Sequence, residues 1–156
     1  MFATGFVIVQ SDPVVSRLRE EAQAILRSPP AAPLDLTPTR YMIATVLEDA
    51  VDVSHKDRET ARMILNQAVD QMLRHAFTKA GRYTPRMKDL LADLQVLDPE
   101  LGRLARRYHR AWSFRRQLGI ANRLADRIVG ARGFFEWQSD PEAVEKQSGQ
   151  NNSEPT

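Results

Sequence analysis

Four dipeptides constrain what this chain can fold into. At Asp12-Pro13, Thr37-Pro38, Thr84-Pro85 and Asp98-Pro99 a short polar side chain stands directly before a proline. A side-chain oxygen there can accept a bond from the free N–H groups of a helix's first turn, and proline's fixed φ suits the next position. Each pair reads as a helix start. Asp57 caps a further helix, Gly81 suits the residue just past a helix end, and Gly130 and Gly133 close the last one.

Between these marks the apolar residues recur at helical spacing. Val15, Leu18, Ala22, Ile25 and Leu26 mark the first helix. Tyr41 to Val53 is apolar on most faces, which predicts a central, mostly buried helix with one acidic edge, Glu48, Asp49 and Asp52. Ala61, Ile64, Leu65, Ala68, Met72, Leu73 and Ala76 form a stripe that runs to Phe77. Met87, Leu90, Leu91 and Leu94 predict a short helix from Thr84. Leu101, Leu104, Ala105, Tyr108 and Trp112 give the next helix its apolar face, and Leu118, Ala121, Leu124, Ala125 and Ile128 give one to the last, from about Arg116. The fold expected is all-α, a bundle of five to six helices.

The two ends read differently. Phe6 to Val9 is apolar, β-rich and not periodic at 3.6, so a short N-terminal strand is expected. A lone strand is unstable in water and needs a sheet in a partner or in another domain. Ser28 to Pro38 holds Pro29, Pro30, Pro33 and Pro38 and reads as a stiff linker. Phe134, Phe135 and Trp137 form an aromatic knot expected to fold back on the bundle, and the polar chain from Ser139 onward is expected to be a disordered tail. The organisation is therefore an entry strand, helix and linker over 1–36, a bundle over 37–138 and a tail over 139–156.

The chain is 156 residues long and fits one domain with a real core. It has no cysteine, which excludes disulfides and thiolate zinc sites and suits a reducing cytoplasm. No signal peptide and no run near 20 apolar residues is present, so a cytoplasmic location with no membrane partner is expected.

Three groups of residues could carry chemistry. From Arg103 to Arg132 there are nine arginines and one acidic residue, Asp126. Such a field attracts phosphates, so nucleic acid, a nucleotide or an acidic partner face are candidate ligands; pairing with Glu48, Asp49, Asp52 and Glu59 is the plainer reading. Arg103 and His109 pair a phosphate-holding group with a proton carrier. Six helical residues leave them roughly 120° apart, so they would converge partly, or across a dimer seam. Glu48 and Asp52 share a helix face and, with Asp49, could hold a metal, act as a base or meet a cationic ligand; a solvated or arginine-paired edge is the alternative. His55, His75 and His109 lack zinc spacing, no serine stands in a nucleophile elbow, and the glycines form no dinucleotide fingerprint.

From Gly5 to Leu101 the pattern resembles the C-terminal part of two-domain nucleotidyltransferases of the DNA polymerase β-like superfamily. The resemblance rests on the strand-like GFVIVQSD, the segment Leu47–Asp52, the long helix from Asp57, Gly81, Arg82, Tyr83 and Lys88, and the run Leu97–Leu101. It implies a helical substrate-binding or accessory domain, with Glu48, Asp49, Asp52 and Lys88 facing the substrate. In that superfamily a Gly-Ser loop and an Asp-x-Asp pair carry nucleotidyl transfer; this sequence has neither. The resemblance therefore implies a chain that is catalytically incomplete alone, partnered by a catalytic domain or subunit, with no cofactor of its own. ATP and Mg would belong to that partner. Such domains are related to HEPN bundles, some of which are dimeric, metal-independent ribonucleases with an arginine-to-histidine motif. Arg103 and His109 fit that spacing. A non-enzymatic nucleic-acid or protein adaptor built on the arginine run is the third reading.

Overall fold

The computed structural model describes residues 13–31 and 35–130. These form six helices: α1 (Pro13–Arg27), α2 (Thr37–Val53), α3 (Arg58–Lys79), α4 (Leu90–Leu97), α5 (Pro99–Arg110) and α6 (Phe114–Ile128). The expected all-α bundle is what the chain builds, and no strand occurs among the described residues. The strand expected at Phe6–Val9, the knot at Phe134, Phe135 and Trp137, and the tail from Ser139 lie outside them.

The helix starts follow capping chemistry where a side chain can reach. Asp57 accepts from the Thr60 N–H at 2.9 Å and from its hydroxyl at 2.6 Å. Asp98 accepts from the N–H groups of Glu100 and Leu101 at 2.9 and 3.0 Å. Thr37 does not cap: it is the first residue of α2, and Asp35 accepts its N–H at 2.8 Å. Thr84-Pro85 starts nothing. The chain turns first between Arg86 and Asp89, joined by a 2.9 Å backbone bond and a 2.7 Å ion pair, so α4 begins only at Leu90 and Met87 stays exposed. Gly81, at φ +64°, closes α3, with Arg82 N–H bonded to Phe77 C=O at 2.9 Å and Gly81 N–H to Thr78 C=O at 3.0 Å.

The central helix is α3, not α2. It buries nine residues and packs against α2, α4 and α6. α2 buries only Ile43, Ala44, Leu47 and Ala50, while Met42 faces out, so its apolar breadth exceeds the face the bundle covers. At the α4–α5 corner a Cβ on Gly102 would stand 2.6 Å from Gln95 Cα, so this crossing requires glycine. α5 is pinned to α3 by Tyr108, fully buried, whose hydroxyl donates to Asn66 Oδ1 at 2.7 Å. Burial pushes that hydroxyl's pKa up, against the pull of the nearby Arg62 guanidinium. Tyr108→Phe removes one hydrogen bond and no packing, so unfolding in urea should show a loss of about 1 kcal/mol with an unchanged m-value.

α1 stands apart. None of its residues is buried, and Val14, Leu18, Ile25 and Leu26 are exposed along it.

Candidate nucleic-acid interface

The corner between α5 and α6 gathers the arginines. α5 ends at Arg110, because Ala111 turns to an extended backbone, φ −74° and ψ 124°. That turn swings Trp112 off the apolar face on which its spacing had placed it, and leaves it 77% exposed. Ser113 then caps α6, accepting from the Arg116 N–H at 3.4 Å. Arg107 and Arg110 come from the end of α5; Arg116, Gly119 and Arg123 recur along one face of α6. With Trp112 they line a cavity of about 450 Å³. The Arg116 guanidinium lies over the Trp112 ring, 5.5 Å from its centroid.

Two local rules are broken here. The N-terminus of a helix carries partial positive charge and favours carboxylates. α6 has no acidic residue in its first turn and carries Arg115 and Arg116 instead. Glycine in a helix interior costs up to about 1 kcal/mol relative to alanine unless something approaches closely. A Cβ on Gly119 would meet nothing within 4 Å, so no packing explains it. Gly119→Ala should therefore raise the unfolding free energy by up to about 1 kcal/mol, seen as a higher Tm. Departures from local preference without a packing gain mark functional surfaces.

No carboxylate among the described residues neutralises the corner. Among the described residues Arg107, Arg110, Arg116 and Arg123 make no ion pair. Among the described residues the arginine of the run that is ion-paired is Arg127, and its partners are Asp98, at 3.2 Å, and Glu100, not the acidic edge of α2. Arg106 donates to the Leu91 carbonyl at 3.4 Å, and Arg132 lies outside the described residues.

The other candidates stay apart from this corner. Arg103 is exposed on α5. His109 lines a separate cavity of about 320 Å³ with Asn66, Asp70, Leu73 and Met87, which Arg103 does not line. The Tyr108 ring meets His109 edge-on, 5.2 Å between centroids. Packing lowers the His109 pKa, and the Asp70 carboxylate, itself held by Arg74 at 2.7 Å, pulls it back up. Glu48, Asp49 and Asp52 are exposed on α2, and Lys88 is exposed in the turn before α4. Among the described residues no three histidines and carboxylates gather as a metal site would require.

The sequence pointed to the arginine run but not to which members converge. It did not pick out Gly119, and it assigned Trp112 to the core. The signal that was present is the Arg115-Arg116 pair two residues after the capping Ser113.

Compared with models of protein families, with curated proteins and with solved structures, the chain matches none.

Proposed function

We propose that this chain is a non-enzymatic helical module that binds nucleic acid through the α5–α6 corner. The observation that carries this reading is the convergence of Arg107, Arg110, Arg116 and Arg123, unpaired among the described residues, on one cavity. Arginine forks match phosphate geometry, and an anion at the start of α6 would offset the charge that Arg115 and Arg116 add there. The test is fluorescence anisotropy of a labelled oligonucleotide titrated with the full chain. Binding that weakens as salt rises supports the reading; absent or salt-insensitive binding rejects it.

A second reading, the accessory domain of a nucleotidyltransferase, is favoured by α1. A helix with Leu18, Ile25 and Leu26 exposed suits docking against another domain. In that reading ATP and Mg belong to the partner, and Glu48, Asp49, Asp52 and Lys88 face its substrate. Ile25→Glu should then abolish co-purification with a protein carrying the missing Gly-Ser and Asp-x-Asp motifs.

The ribonuclease reading would have to bring Arg103 and His109 together across two copies. In that case His109→Ala would abolish metal-free RNA cleavage.

A further inference from the structure

We propose that the corner selects single-stranded nucleic acid, with an unpaired base stacked on Trp112 and the flanking phosphates held by arginines of α5 and α6. This rests on the nucleic-acid reading above and specifies its ligand.

Three observations point to a base rather than to phosphate alone. An indole that is 77% exposed beside a charged cluster is an aromatic platform with most of its surface open. Arg116 over the ring restrains its orientation, as a stacking platform needs, and leaves it free to take a second planar partner. Gly119 keeps the adjacent wall of the cavity without a side chain, where a flat ring would need clearance.

The arginines suit an extended strand. Arg116 and Arg123 are seven residues apart on α6, about 10 Å along the helix axis, and Arg107 and Arg110 approach from α5. The charges are thus spread over more than one phosphate. Every base offers a π-face, so such a site binds single strands with little sequence preference. In a duplex the bases are stacked on one another and present no free face to Trp112. An acidic peptide would satisfy the arginines and leave the indole unused.

The experiment uses the full chain carrying Trp137→Phe, so that Trp112 is its one tryptophan. An oligothymidylate of about 12 nucleotides is titrated against Trp112 emission, with inorganic polyphosphate, a DNA duplex and polyglutamate as comparison probes. The expected result is saturable quenching by the single strand, with affinity at least about tenfold above that for each comparison probe. Trp112→Ala, which lacks the fluorescent reporter and is compared with the parent by isothermal titration calorimetry, should weaken single-strand binding about tenfold and leave polyphosphate binding unchanged. Trp112 is exposed, so this variant keeps its core; Gly119→Ala, expected to be more stable, should also bind the single strand several-fold more weakly.

If the comparison probes bind as tightly as the single strand, or if Trp112→Ala binds it normally, base stacking is overturned while polyanion binding stands. If no probe binds, both readings fall together.

Discussion

Replacing Arg107, Arg110, Arg116 and Arg123 with glutamine should abolish oligonucleotide binding at physiological salt and leave the fold intact. Each arginine that neutralises a phosphate on a single strand contributes about −0.7 to the slope of log K against log salt. Four contacts give a slope near −3, or about a 50-fold loss of affinity between 50 and 200 mM salt. The quadruple variant should flatten that slope toward zero. None of the four makes an ion pair among the described residues, so the melting temperature should change little. Arg127→Gln is the control. It removes the ties to Asp98 and Glu100 that join α6 to the start of α5, so stability should fall slightly while binding stays within about twofold. If the quadruple variant binds with an unchanged slope, the corner is not the interface.

The second large effect concerns His75. It is buried on α3, 3% exposed, and neither ring nitrogen has a hydrogen-bond partner among the described residues. Burial lowers its pKa first, and the cations Lys79 and Arg40 lower it further. Both cations face the end of α6: Lys79 donates to the Ile128 carbonyl at 3.2 Å and Arg40 to the Val129 carbonyl at 2.7 Å. Because the folded pKa lies below the ordinary value of 6.5, the unfolded chain takes up the proton first as pH falls. The stability held by neutral His75 is therefore complete above about pH 6.5 and is lost as pH drops below it. His109 shifts in the same direction, but it is exposed and opposed by the Asp70 carboxylate, so it adds little. His75→Leu removes two unpartnered polar atoms at similar volume. It should stabilise the protein by about 1–3 kcal/mol at neutral pH, raising Tm by several degrees. The variant should also lose less stability than the parent between pH 7 and 5, retaining only the part due to His109. Melting curves across that range check both statements, and equal acid sensitivity in parent and variant would contradict them.

The sequence was most informative where chemistry is local. Asp57 and Asp98 cap as their positions suggest, and Gly81 closes α3, because a cap needs only neighbours a few residues away. The stripe from Ala61 to Phe77 is buried almost as its spacing predicts. What failed depends on distant parts of the chain. Tyr41 to Val53 looked central because it is rich in apolar residues, yet only tertiary packing decides which helix others surround, and that helix is α3. Trp112 fits the periodicity of α5, but the helix ends two residues before it. Thr84-Pro85 has the composition of a helix start, yet the Arg86–Asp89 turn delays the helix to Leu90.

The candidate site divides in the same way. The arginine run is visible as composition, whereas its partition is not. Arg127 turns to Asp98 and Glu100, Arg106 to a carbonyl of α4, and four others meet across a turn of three residues. Periodicity on a single helix could place Arg116 and Arg123 together. It could not add Arg107 and Arg110, which arrive from the other side of the corner.

The most direct test of that corner is to map backbone amide shifts by NMR as a single-stranded oligonucleotide is added to the full chain. The changes should concentrate between Arg107 and Arg123, with the Trp112 indole N–H among the largest. Changes concentrated instead on α1 or on the acidic edge of α2, or a spectrum that does not move, would contradict the assignment of nucleic-acid binding to this surface.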